Sequence, residues 1–121
     1  MSGTETTCNK LVSVIVPTFN RSEVLRACVD SLLASDYVPL EIVIADNAST
    51  DDTTEMCARC YGSRPACDVH YIRLPENRNA AGGRNAGLLH ARGDYLLFLD
   101  SDNVVDPEMI GRLVDVFEHD P

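Results

Sequence analysis

Three short apolar runs constrain this chain more than anything else in it: residues 11–16, 40–45 and 95–99, each rich in branched side chains and each followed by turn-forming or acidic residues. Runs of that length suit strands buried on both faces of a parallel sheet, where helices cover either side and no polar face needs to alternate with an apolar one. A fourth, weaker run spans residues 69–74. Between the runs the period changes. Leu25, Cys28, Val29, Leu32 and Leu33 mark one stripe of an amphipathic helix, with Asn20 and Glu23 spaced like a capping pair at its start. Ile110, Leu113, Val114 and Phe117 repeat the stripe behind Asp106 as N-cap and Pro107 as first helical residue. Residues 51–61 and 82–91 are the other helical candidates. Strand then helix, four times over, predicts an α/β domain with a mainly parallel sheet and flanking helices.

The chain has 121 residues, enough for one core and not two. Nineteen acidic residues against ten basic ones give a net charge of −9, which would repel a phosphate backbone and argues against nucleic acid as a partner. No run of about 18 apolar residues occurs, so no transmembrane segment is expected in this chain. Residues 1–10 are polar, lack the apolar centre of a secretory signal and are expected to be a flexible N-terminal tail ahead of a domain at 11–121. The expected location is cytoplasmic, the inner face of a membrane included. Five cysteines, an odd number, fit free thiols better than a disulfide framework.

In open parallel sheets, ligands bind beyond the carboxyl ends of the strands. The first strand here runs into Pro17-Thr18-Phe19-Asn20, the second into Asp46-Asn47-Ala48-Ser49-Thr50-Asp51-Asp52, and the fourth into Asp100-Ser101-Asp102-Asn103. Polar groups from three strands thus converge on one edge. Asp100 and Asp102 just past a buried strand suit a hard divalent cation, since Mg2+ or Mn2+ typically takes one or two protein carboxylates and completes its shell with water and phosphate oxygens. The plainer alternative is that these residues shape a turn. Asp46 is placed to accept a hydrogen bond from a base or ribose, or simply to support the turn before the next helix. Asn47-Ala48-Ser49 also matches a glycosylation sequon.

The run Gly82-Gly83-Arg84-Asn85-Ala86-Gly87 is neither a P-loop, because Leu88 stands where the lysine belongs, nor a dinucleotide fingerprint. Two readings stay open: glycines admitting a nucleotide close to the backbone with Arg84 turned toward it, or a helix start packed tightly on the sheet. Cys57, Cys60, Cys67 and His70 have spacings that zinc could use, but Cys57, Cys60 and Tyr61 also share one helix face, where cysteine behaves as a small hydrophobe.

With these residues in view, the sequence resembles the family-2 inverting glycosyltransferases of the GT-A fold. The resemblance rests on Val14-Ile15-Val16-Pro17-Thr18-Phe19-Asn20-Arg21, on Ile42-Val43-Ile44-Ala45-Asp46-Asn47-Ala48-Ser49-Thr50-Asp51, on Asn77-Arg78-Asn79 with the glycine run, and on Gly93-Asp94-Tyr95-Leu96-Leu97-Phe98-Leu99-Asp100-Ser101-Asp102. It implies a Rossmann-like nucleotide-binding half and an NDP-sugar donor, UDP-sugar foremost. Pro17, Thr18 and Asn20 would line the nucleoside pocket, Asp46 would contact the base, and Arg84 would sit near base or phosphates. Asp100 would lie by the ribose or sugar, and Asp102 would bind Mn2+ or Mg2+ on the diphosphate. The resemblance also implies that the acceptor site and the carboxylate that deprotonates the acceptor hydroxyl come from a further half of the domain, so no catalytic residue is assigned within residues 1–121. The chain alone is expected to bind donor weakly and to transfer sugar poorly or not at all, to an acceptor that is a saccharide, a lipid or a protein. Two alternatives remain: a non-catalytic nucleotide-binding module, or a haloacid-dehalogenase-like phosphatase with Asp100 as nucleophile and Asp102 as acid/base. Against the phosphatase, Val104 stands where such a motif carries threonine.

Overall fold

The computed structural model describes residues 10–62 and 68–119. Four strands, β1 (Val12–Thr18), β2 (Leu40–Asp46), β3 (Asp68–Arg73) and β4 (Tyr95–Phe98), alternate with four helices, α1 (Ser22–Leu33), α2 (Thr53–Tyr61), α3 (Asn79–His90) and α4 (Met109–His119). The sheet is parallel throughout, in the order β3-β2-β1-β4. The chain moves outward from β1 to β3, then returns past β1 to place β4 on its other side. That reversal puts the topological switch point between the carboxyl ends of β1 and β4, where open α/β sheets leave a crevice.

Burial explains the strands. Val12, Val14 and Val16 of β1, with Ile42 and Ile44 of β2, face a core shared with Leu25, Cys28, Val29 and Leu32 of α1, Met56, Cys57 and Tyr61 of α2, and Ile110 and Val114 of α4. Ile15, Val43 and Ala45 are also fully buried and point to the other face. There α3 comes very close: a Cβ built on Gly87 would stand 2.4 Å from Ile15 Cγ2, and one on Gly83 would stand 3.1 Å from Pro17 Cβ. The glycine run thus packs tightly on the sheet, with Gly83 and Gly87 buried against it.

Some expectations are adjusted by neighbours the sequence does not display. β1 continues two residues further than predicted, through Pro17 and Thr18. β4 is not covered on both faces: Leu96 and Phe98 remain 46% exposed, because β4 is an edge strand and α3 lies over β1 and β2. Asn20 does not cap α1. Arg21 is the N-cap, without a side-chain cap hydrogen bond, and Asn20 turns elsewhere. α3 starts at Asn79 rather than residue 82, and α4 at Met109 after a turn in which Asp106 accepts the Glu108 N–H at 2.9 Å.

A polar staple holds the amino ends of the strands. The buried Glu41 carboxylate accepts from Ser13 Oγ (2.6 Å), from the Arg92 N–H (3.0 Å) and from Arg92 Nε (2.9 Å), while the Gly93 N–H donates to Ser13 Oγ at 2.8 Å. Burial, the largest single influence, raises the Glu41 pKa, but these donors together outweigh it and hold the carboxyl below its ordinary value. Of the predicted tail, residues 1–9 lie outside the described residues, whereas Lys10 pairs with Glu118 at 2.9 Å. No helix among the described residues is long and apolar enough to cross a membrane.

Candidate functional site

A cleft of about 470 Å³ opens at the switch point. Pro17, Thr18, Phe19 and Arg21 line it from the end of β1, Asn47 from β2, Asn77, Asn79 and Ala80 from the start of α3, and Asp100, Ser101 and Asp102 from the end of β4. Of the residues singled out in the sequence, Pro17, Thr18, Asp100 and Asp102 are thus brought together. Arg84 is not among the lining residues; it stands one turn beyond Ala80 on the same helix stripe.

Asn20 and Asp46 build the wall of the cleft from behind. Asn20, at φ 51°, accepts the N–H groups of Thr50 (2.7 Å) and Asp51 (3.2 Å) on its side-chain oxygen and donates its own N–H to Ser49 Oγ (2.8 Å). Asp46 is fully buried. Its Oδ1 accepts from the Ser49 N–H (3.0 Å) and hydroxyl (2.6 Å), and its Oδ2 accepts from the Tyr71 hydroxyl and lies 3.5 Å from Arg73 Nη1. The β2–β3 register, Ile44 beside Tyr71 and Asp46 beside Arg73, delivers those partners. Asn47 closes the next corner, donating to the Asn79 carbonyl at 3.0 Å and accepting the Arg78 N–H at 3.1 Å. With only 4% of its surface exposed and both amide atoms engaged, Asn47 is closed to glycosylation in the folded chain.

The carboxylates differ from this frame. Asp100 and Asp102 are exposed at the cleft, and Arg21 Nη1 lies 3.8 Å from Asp102 Oδ2. Behind them, Cys28 is sealed in α1 with its thiol 3.8 Å from the Asp100 carbonyl; burial, then the charge of Asp102, pushes its pKa up to about 12. The hydroxyl of Thr18, a residue only 4% exposed, has no hydrogen-bond partner among the described residues. An orphaned buried hydroxyl is costly and rare, and at the wall of a cleft it calls for a ligand atom or water.

The donor set fits a hard divalent cation that shares its shell with a ligand. Two carboxylates one residue apart supply the one or two protein oxygens that Mg2+ or Mn2+ takes, and no third acidic, histidine or cysteine side chain completes a closed cage among the described residues. The zinc alternative gains no support: Cys67 lies outside the described residues, Cys57 is buried in α2 with burial raising its pKa to about 12, and His70 Nε2 faces Glu41 Oε1 at 3.4 Å. His119 meets Asp115 at 3.0 Å on α4, away from any cluster of metal-ligating side chains among the described residues. Sequence reasoning missed Arg21 as a cleft residue, although its place directly after the first strand's polar ending was the available signal.

The profile of Glycosyl transferase family 2 matches residues 13–121. The chain belongs to glycosyltransferase family 2. It is 39% identical over 94 residues to the UDP-Glc:alpha-D-GlcNAc-diphosphoundecaprenol beta-1,3-glucosyltransferase WfaP of Escherichia coli, covering 78% of this chain and 36% of that protein. Among solved structures, the mannosyltransferase PcManGT from Pyrobaculum calidifontis in complex with GDP-Man and Mn2+ superposes with a TM-score of 0.85 at 30% identity, over 95% of this chain and 34% of that one. The structure of S. aureus TarS in complex with UDP-GlcNAc superposes at 0.77 and 28% identity, over 91% of this chain and 32% of that one. The fold is that of the GT-A glycosyltransferases, and the chain spans about a third of the length of these relatives. Family-2 membership takes the place of the phosphatase alternative for the Asp-Ser-Asp motif.

Proposed function

We propose that this chain is the donor-binding region of a family-2 glycosyltransferase that holds a nucleoside-diphosphate sugar, UDP-sugar first, for inverting transfer to an acceptor hydroxyl. The observation that carries the reading is the buried, unpartnered Thr18 hydroxyl in a cleft that also holds the exposed carboxylates of Asp100 and Asp102. In this reading Pro17 and Thr18 contact the nucleoside, Asp100 the ribose or sugar, and Asp102 holds Mn2+ or Mg2+ at the diphosphate, with Asp100 as the second available oxygen donor. Bound there, the cation supplies charge neutralisation as the glycosyl bond breaks. Asn20 and Asp46 keep the wall in place rather than touching the ligand first, and Arg84 meets whatever part of the donor extends past Ala80. The first turn of α3, at Asn79 and Ala80, turns the positive end of a helix dipole toward the same cleft.

The cleft offers no further carboxylate among its lining residues, so no group in it is placed to deprotonate an acceptor. Donor binding without efficient transfer is therefore the expected behaviour of residues 1–121 alone, and a nucleotide-binding module without catalysis is the second reading. Calorimetric titration with UDP, GDP and ADP, each with and without Mn2+, tests the proposal. Metal-dependent binding of one diphosphate, lost in Asp102→Ala, is the expected result. A chain that melts cooperatively yet ignores all three nucleotides would sink it.

A further inference from the structure

Arg21 is the one positive side chain among the described residues that line the cleft, set against Asp100 and Asp102. Its Nη1 lies 3.8 Å from Asp102 Oδ2, with the two side chains 55% and 58% exposed. An ion pair that open to solvent adds little to stability, so it has no evident use as a brace. Its backbone, by contrast, is held firmly. Arg21 follows Asn20, whose left-handed conformation is locked by Ser49, Thr50 and Asp51, and its carbonyl accepts the Leu25 N–H at 2.7 Å to start α1. The arrangement is a fixed base carrying a long, lightly held cation beside the carboxylate assigned to the metal.

A divalent cation at Asp102 would repel a guanidinium at the same oxygen, so the two cannot hold it together. With Asp100 drawn in as the cation's second oxygen donor, the released guanidinium can turn to a phosphate, whose oxygens its planar fork matches. We infer that Arg21 is a counter-ion exchanged during donor loading: it neutralises Asp102 in the empty cleft and moves to the donor's diphosphate when a divalent cation takes Asp102. The inference rests on the donor-site reading above and deepens it. The residues lining the cleft carry two negative side-chain charges and one positive. Metal alone must displace Arg21 with nothing for it to bind, whereas metal with diphosphate gives it a new partner. Metal and nucleotide should therefore favour each other's binding, by the same factor in either order.

The test measures Mn2+ binding without nucleotide, from the electron paramagnetic resonance signal of free Mn2+, then titrates UDP and GDP at saturating Mn2+. Wild type, Arg21→Gln, Arg21→Lys and Asp102→Ala are compared, with uridine and guanosine as controls that lack the diphosphate. Arg21→Gln is expected to bind Mn2+ alone about threefold or more tighter, because the competing cation is gone, and the diphosphate about tenfold more weakly, because a charged hydrogen bond is lost. Arg21→Lys should keep Mn2+ near the wild-type value and lose part of the diphosphate affinity, since a point charge remains without the fork. Nucleoside binding should not change. An Arg21→Gln variant whose two affinities move in the same direction, or whose Mn2+ affinity equals that of wild type, overturns the exchange. Mn2+ binding unaltered by Asp102→Ala overturns the donor-site reading beneath it as well.

Discussion

The side-chain oxygen of Asn20 lies 2.7 Å from the backbone nitrogen of Thr50, joining the turn after β1 to the turn after β2. Asn20 sits at φ 51°, a conformation that asparagine tolerates better than most residues. Asn20→Ala should cost about 2 kcal/mol in a denaturant titration, through lost hydrogen bonds and left-handed strain together, and Asn20→Gly about half of that because the strain disappears. Both should weaken nucleotide binding, since Phe19 and Arg21 stand on either side of the clasp. Equal losses for the two variants would show that the conformation contributes nothing.

Thr18 should separate stability from binding. Thr18→Val replaces an unpartnered buried hydroxyl with a methyl group of similar size, so the free chain should be unchanged or about 1 kcal/mol more stable. Nucleotide affinity should fall, by roughly tenfold at most for one lost hydrogen bond. Thermal melts with and without nucleotide read both effects. A destabilised Thr18→Val would mean that the hydroxyl already has a partner, such as a bound water.

Gly87→Ala should be destabilising despite alanine's better helix propensity, because the new Cβ would meet Ile15 Cγ2 at 2.4 Å. Overpacking of this kind costs about 1–3 kcal/mol. The same change in an Ile15→Ala background should be nearly free, and the double-mutant coupling measures the contact directly.

Glu41 gives a pH dependence with a definite sign. Its folded pKa lies below the ordinary carboxyl value, so its contribution is complete above about pH 4.3, the unfolded value, and is lost as pH falls through the folded pKa. Glu41→Gln should cost about 1–3 kcal/mol at pH 7, through weakened hydrogen bonds to Ser13 and Arg92. The gap between wild type and variant should narrow on acidification below that range. A gap that stays constant from pH 7 to pH 3 would remove the carboxylate from the account.

Cys28 and Cys57 should resist alkylation at pH 8 in the native chain and react once it is denatured, because burial holds both thiols near a pKa of about 12. Peptide mass spectrometry after brief iodoacetamide treatment distinguishes the states. Native labelling of Cys28 would mean that α1 opens beside the Asp100 carbonyl.

What was legible in the sequence follows from what each residue meets. Residues 12–16 of β1 and 40–45 of β2 were legible because every apolar residue in them is buried, so composition alone reports their environment. β4 shows the same composition, yet Leu96 and Phe98 are half-exposed, and only the sheet order reveals that it is an edge. Asp100 and Asp102 were readable as a pair because the motif is contiguous. Asp46 was legible as a strand-end carboxylate that could support the turn, as its bonds to Ser49 do, but its partners Tyr71 and Arg73 arrive from β3 through a register that no local spacing encodes. The Asn20–Glu23 spacing suggested a cap, but long-range bonds to Thr50 and Asp51 claimed the side chain instead. Arg21 was passed over because its counterpart, Asp102, comes from β4, far along the chain.

The Ser13–Glu41–Arg92 staple and the cleft stand at opposite ends of the same strands. From Ser13 to Thr18 the chain rises about 17 Å, at ~3.3 Å per residue, and the interval between them is packed with valine and isoleucine. Foundation and workplace are thus separate storeys of one building. Outside the Asn20 clasp, lining residues such as Thr18 and Arg21 can be exchanged while the sheet keeps its footing at the far end. A scaffold arranged in this way can be retuned repeatedly without being rebuilt.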